Sequence, residues 1–488
     1  FKQMYLSRFN IDLPGAFTLD GRGDCRDLTD SLRRNIQVNL DLQTYDLNFL
    51  TALGGTAPSP DLIIPDSMSL RTTLSLDASR LSALLNLNEQ GGHIGLDAFY
   101  DLASTAYNAR LRVEELQLHH FMPRDSIYNL SAFINLEGQG TEPAKPKTHA
   151  SLHAAVQQLQ YGHWDIQQIE LKGALKHAEA TASLTSQNPL LEMNSQARMR
   201  LDRNYLDGDL RIDVSQLDLH KLGIAPKPLK RPFAFGIRGE AQRDSVKLSL
   251  DAGDMNLRLK ARSTLKELFE RGNQFMAILT KQIDDRRLDH AALRKALPSA
   301  RMVLSAGRQN PISYFLATKD VSYDNFRFSF GFSPRRGING RTSIHGLRVD
   351  SLQLDTIFFR ITQDTTRMVL QGGVENGPTN PQFVFRSTLT GEIRNEDAEL
   401  TANYVDGQGK TGVLFGIKAK PLTEGHGKGN GLLFELTPEK PVFAFRTFKF
   451  ADKSNWLYLH KNMRVFANID MESDQGLSFR IQSNPSDT

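Results

Sequence analysis

"IELKGALKHAEATASL", residues 169–184, alternates from end to end. Ile169, Leu171, Gly173 and Leu175 fall on one side, with Glu170, Lys172 and Lys176 on the other. After a two-residue turn the pattern resumes with Ala178, Ala180, Ala182 and Leu184. Side chains on a strand point to opposite faces with a period of two, so the stretch predicts strand, turn, strand with one apolar face.

The same device recurs along the chain. Ile36, Val38, Leu40 and Leu42 alternate, as do Leu70, Leu74 and Leu76, then Ala109, Leu111 and Val113, then Ala132, Ile134 and Leu136. Leu191, Met193, Ala197 and Met199 follow, and after them Leu206, Leu210, Ile212 and Val214. The breaks are short and polar, Ser186 to Pro189 and Arg203-Asn204 among them, which predicts antiparallel hairpins in a meander. "NFRFSFGFSPR" puts Phe326, Phe328, Phe330 and Phe332 on one face, and Phe383 with Phe385, Phe415 with Ile417 and Phe443 with Phe445 extend the theme. Two readings of that Phe ladder stand side by side: the aromatic core of a sandwich, or the floor of an open groove.

One segment has the helical period. Residues 263–300 place Leu265, Leu268, Phe269, Met276, Leu279 and Ile283 three and four apart, with Ser263 or Thr264 to cap the start, Gly272 as a point of weakness and Pro298 as the stop. The expected role is to lay that stripe on the sheet, either closing its end or plugging an apolar channel. "DRRLDH" (285–290) reads as a solvated part of the same helix.

Composition sets the outer bounds. The chain has 488 residues, of which 40% are hydrophobic and 23% charged, the balance of an ordinary folded protein rather than a disordered or membrane-spanning one. Its net charge of +4 comes from mixed signs with no basic block, which argues against nucleic acid as a partner. A single cysteine, Cys25, rules out an internal disulfide and any multi-cysteine zinc site. The opening "FKQMYLSRFN" has neither an initiator Met nor a signal-like apolar run, so the chain reads as a piece of something longer, with any membrane anchor outside it.

Weak internal echoes join "YDLNFLTALGG" (45–55), "QLDLHKLGI" (216–224) and "DASRLSALLNL" (77–87), each read as the close of a sheet unit. With "APKPLKRP" (225–232) as a joint, the units are expected at 1–226, 227–300 and 301–488. No catalytic constellation emerges, and neither a cofactor nor a metal site is expected. "GHGKGNG" (425–431) lacks the Lys-Ser/Thr ending of a phosphate loop. His119 and His120, if on a strand, point apart, and "RGD" at Arg22 to Asp24 is too short to carry adhesion.

These residues carry a resemblance. The opening stretch, "LEGQG" and "FELTPEKPVFAFRTFKFADKSNWLYLHKN", in which "TPEKPV" leads to Trp456, resemble the TamB branch of the AsmA-like family over most of the chain. That resemblance implies a repeating β-groove, a long antiparallel sheet curled into a half-pipe. It also implies a place in the periplasm of a Gram-negative envelope, tethered to the inner membrane, with roles in phospholipid movement and outer-membrane protein assembly.

The residues lead to a related expectation independently. A one-sided sheet must cover its apolar face with a second sheet, with helices, by curling or with ligand. One helix cannot cover roughly 25 to 30 strands, which at about 4.8 Å each would extend on the order of 120 to 140 Å. The expected fold is therefore mostly β, a long curled sheet with an apolar concave face. Its floor would include Ile169, Leu171, Ala180, Leu210, Ile212, Phe326, Phe328, Phe330, Phe332, Phe383 and Phe385. Phospholipid acyl chains are the expected ligand. A scaffold whose strand edges template an outer-membrane β-barrel protein is the alternative, and a secreted β-sandwich adhesin the third. A transmembrane barrel is disfavoured, since two Trp cannot build two aromatic girdles.

Overall fold

The structure, a computed structural model, describes residues 3–30, 32–46, 65–285, 288–395, 397–421, 431–450, 456–460 and 465–483. It is mostly strand, in a large antiparallel sheet that does not close into a barrel. The described residues form 30 strands, within the range the alternation implies. Contacts divide the chain into two units, Phe1–Ile224 and Ala225–Thr488.

The first unit is an uninterrupted meander. Its strands are β1 (Gln3–Leu13), β2 (Phe17–Arg26), β3 (Asn35–Thr44), β4 (Met68–Asp77), β5 (Arg80–Glu89), β6 (Gly92–Asp101) and β7 (Ala106–Gln117). They continue through β8 (Ile127–Gln139), β9 (His149–Tyr161), β10 (Trp164–Lys176), β11 (Glu179–Asn188), β12 (Leu191–Arg200) and β13 (Asp207–Leu217). Every strand pairs antiparallel with its neighbours in sequence. The opening stretch forms the β10–β11 hairpin, with His177 and Ala178 as the turn at φ 53° and 60°. Ala178 therefore belongs to the turn, and the apolar pattern resumes at Ala180. Asn188 ends β11, accepting from the Leu190 amide at 2.8 Å and donating to the Asp165 carbonyl at 3.1 Å.

The second unit begins with β14 (Phe235–Ala241), β15 (Val246–Ala252) and β16 (Met255–Ala261), followed by helices α1 (Leu265–Asp284) and α2 (His290–Ala296). Next come β17 (Ala300–Ala306), α3 (Pro311–Ala317), the two-residue β18 (Val321–Ser322), β19 (Asn325–Ser333), β20 (Gly337–Val349), β21 (Leu352–Gln363) and β22 (Arg367–Asn376). The unit continues with β23 (Phe385–Arg394), β24 (Ala398–Asp406), β25 (Thr411–Pro421), β26 (Gly431–Phe443) and β27 (Arg446–Phe450). It ends with β28 (Trp456–His460), β29 (Val465–Ser473) and β30 (Ser478–Gln482). The order is again nearly sequential, β17 pairing with β19 across the α3 excursion.

The helical insertion differs from its expectation in three ways. Thr264 caps α1, accepting from the Glu267 amide at 3.1 Å, but the helix runs straight through Gly272 and breaks instead between Asp285 and Asp289. Asp289 caps a second helix, α2, so "DRRLDH" is in part a helix start; its Arg286 and Arg287 lie outside the described residues. His290 is fully buried and bonds the Ile393 carbonyl at 2.9 Å. Third, the α1 stripe is split, with Leu265 and Leu279 half-buried but Phe269 and Met276 turned outward. Phe269 is 64% exposed and Met276 56%, and the main partner of α1 is α2.

Helix α3 escaped the periodicity because it spans only seven residues, but Asn310 at its cap and Pro311 at its first position are a start signal. It helps build one of two small cores among the described residues, where Leu316 and Leu347 pack with Ala252, Met255, Ala306 and Tyr323. The other core gathers Ala467, Ile469 and Met471 against Leu436, Phe443 and Phe448.

Candidate functional site

In a ladder, residues directly opposite share a face, so register alone defines rows across the sheet. In the first unit one row starts at Ile11 and takes one position from each strand through Leu42, Leu87, Val113 and Ile169 to Val214; Ser186 is its sole polar member. The adjacent row carries Leu40, Leu85, Leu111, Ile134, Leu171, Leu184 and Ile212. Ala180 and Leu210 fall on the same face through Met199 and Ala197. The register thus brings Ile169, Leu171, Ala180, Leu210 and Ile212 together over β10 to β13. Leu210 remains 38% exposed, and the other four are half-buried.

Polar partners hold the opposite face. Glu170 receives Lys172 Nζ at 2.8 Å and His153 Nε2 at 2.7 Å. The hydrogen bond from Lys172, aided by that from His153, keeps its carboxyl below the usual range.

In the second unit the Phe ladder occupies β19. Phe328 and Phe330 stack at 4.3 Å between centroids, and Phe330 and Phe332 at 6.3 Å. Phe330 covers Gly340 on the next strand so closely that a Cβ there would overlap the ring. The row through Phe328 takes in Leu257, Leu304, Thr342, Phe359, Leu389, Ala402 and Phe415, from β16 to β25. Its far side is open, with Leu389 46% exposed.

The remaining expected aromatic positions, Phe326, Phe383 and Phe385, have surroundings of their own. Phe326 packs into the core beside α3. Phe385 is on the row's face at the start of β23, stacked on Tyr404 at 5.8 Å, whereas Phe383 precedes the strand and only its ring contact with Phe385, at 5.4 Å, ties it to the face. Outside that set, Phe445 is not a strand partner of Phe443; it sits in the turn after β26 at φ 64°.

The histidine pair also departs from expectation. His119 and His120 lie in a 3-10 turn, Leu118–His120, with rings 4.2 Å apart rather than on opposite faces of a strand. His120 Nδ1 meets Glu89 Oε1 at 2.6 Å, and Glu89 is fully buried. Among the described residues no cluster of His, Cys, Asp or Glu suits a metal ion, and no helix is long and apolar enough to cross a membrane. The RGD tripeptide is inside β2.

Of the echoed segments, 77–87 is mostly β5 and 216–224 is a strand end and turn, while 47–55 lies outside the described residues, as do 425–430 of the Gly-rich stretch. No protein-family model, no curated protein and no solved structure matches the chain.

Proposed function

We propose that the chain binds phospholipid acyl chains along its apolar rows and serves as a lipid bridge or conduit between inner and outer membrane. In this reading it works in the periplasm of a Gram-negative envelope, tethered to the inner membrane by an anchor outside the chain. The observation that carries the reading is the register of apolar positions from β1 to β13, most of them left half-exposed although Val113 and Val214 are buried, with a second row from β16 to β25. A curled sheet with those rows as the floor of its concave side would suit a chain-like ligand. Each buried CH₂ contributes about 0.8 kcal/mol, so a tail is held by length of contact rather than by one specific pocket.

A scaffold for assembling outer-membrane β-barrel proteins is the second reading. In that reading strand edges of the sheet template the client through main-chain donors and acceptors.

Native mass spectrometry of the protein purified from cells tests the first reading, with copurifying phospholipid as the expected result. A charge on the floor must be desolvated among acyl chains, so Phe330→Asp or Ile212→Asp is expected to abolish copurification and lipid passage. Lys172→Asp, on the opposite face, is expected to leave both intact. Folded floor variants that keep wild-type lipid content and outer-membrane barrier function would transfer support to the scaffold.

A further inference from the structure

The face of the second unit opposite the Phe ladder is cationic. Register places Arg258 and Lys260 of β16, Arg301 of β17, Arg327 of β19, Arg341 of β20 and Arg360 of β21 on it. Lys260 lies directly opposite Arg301, and Arg341 directly opposite Arg360. Like charges facing each other across a ladder destabilise a sheet, so the arrangement needs a compensating anion.

The protein supplies few. Arg258 pairs with Asp251 at 2.9 Å, but Lys260, Arg301, Arg327, Arg341 and Arg360 have no carboxylate partner among the described residues. The nearby acids are already engaged: Asp364 with Arg367, Glu375 with Arg386, and Glu392 with Arg367 and Arg394. Three adjoining hollows of about 1300, 770 and 450 Å³ share Arg301 as a wall, and the hairpin arginines Arg335 and Arg336 line the two larger ones. Arg294, on the wall of the middle one, has a buried Nε–H with no acceptor.

We propose that this face, together with α1, docks on an anionic lipid bilayer. Guanidinium groups bind phosphate oxygens in bidentate fashion, and Ser329 and Ser343 place hydroxyls among them. The cations span five neighbouring strands, about 20 Å at the usual strand spacing, which matches an array of headgroups better than a single free anion. The second pointer is apolar. Helix α1 starts at the rim of the largest hollow, where Arg262 precedes its cap by two residues. It carries Phe269, Met276 and Ile283 at seven-residue intervals, all exposed. Such a stripe suits the headgroup–acyl boundary and has no use on a nucleic acid.

The proposal does not rest on the acyl-chain reading: a chain that copurifies no lipid would still dock. The test is co-flotation of the full chain with vesicles of phosphatidylcholine alone or of equal parts phosphatidylcholine and phosphatidylglycerol. Binding is expected to the anionic vesicles only and to weaken with salt. The combined variant Arg301→Gln/Arg341→Gln/Arg360→Gln is expected to lower it about a hundredfold, at about fivefold per cation. Phe269→Ser/Met276→Ser is expected to lower it about tenfold. All five side chains are exposed, and circular dichroism checks that the sheet persists. Equal binding to neutral vesicles, or undiminished binding by the arginine variant, overturns the proposal. So does release by inorganic phosphate or single-stranded DNA beyond that caused by chloride at matched ionic strength, which would assign the face to a soluble anion.

Discussion

At Gly340 the absence of a side chain is what lets Phe330 lie flat on the neighbouring strand. A glycine under a cross-strand aromatic exchanges its own missing contacts for the ring's. Gly340→Val is therefore expected to tilt the ring off the ladder and cost about 1 to 3 kcal/mol, read from chemical denaturation with the near-ultraviolet circular dichroism of the stacked rings as a second signal. Glu89 tests a different energy. Its carboxylate is buried against His120, with Oε2 lacking any partner. Glu89→Ala is expected to destabilise the first unit by about 3 kcal/mol, as removal of one member of a buried pair does; a loss below about 1 kcal/mol would mean that the pair is held at little net gain. Neither contact is visible in sequence, because Glu89 and His120 are distant in the chain and meet only through the register of β5, β6 and β7.

Turns and helices show where local signals suffice. Asp364, in the β21–β22 turn, accepts from the amides of Thr366 at 2.8 Å and Arg367 at 3.0 Å. The Thr366 amide, foremost among these donors, holds its pKa at about 2, against an ordinary 3.8. Since the folded value is the lower one, the turn's extra stability is present above the ordinary value and is lost as pH falls through about 2. The carboxyl is solvent-exposed, so the effect is small and local. The protection of the Thr366 and Arg367 amides, the intrinsic hydrogen-exchange rate at the same pH divided by the observed one, is expected to fall as pH drops between those two values in the wild type and to lose that pH step in Asp364→Asn. The cap of α1 and the stop before Pro298 were legible in the same way, because a hydroxyl three residues ahead of an amide and a proline ring act over one turn. The packing of α1 was not. Its spacing correctly gives an amphipathic helix, but what its stripe faces is decided by α2, whose buried His290 reaches the Ile393 carbonyl about a hundred positions away.

At the scale of the molecule, alternation was enough to give an antiparallel meander, since period two, short polar breaks and sequential pairing leave little choice of topology. The same alternation marked the apolar residues that the register brings into rows, with Phe383, which precedes β23, as the exception. What alternation cannot report is the energy of the opposite face, where arginines from separate strands meet.

The strictly sequential pairing of the first unit also governs how such a chain can change length. Excising residues 80–105 removes β5 and β6 and joins β4 to β7 through the existing Ala78-Ser79 turn. Counting outward, Leu76 then meets Tyr107, Leu74 meets Ala109 and Leu70 meets Val113, so the faces stay in phase. Excising 80–91 removes one strand and sets Leu76 against His93, Leu74 against Gly95 and Thr72 against Asp97. The two-strand deletion is expected to give a soluble, protease-resistant protein and the one-strand deletion an aggregating one. Growth and shrinkage by duplication or loss would then be quantised in hairpins, each step adding or removing about 10 Å of sheet.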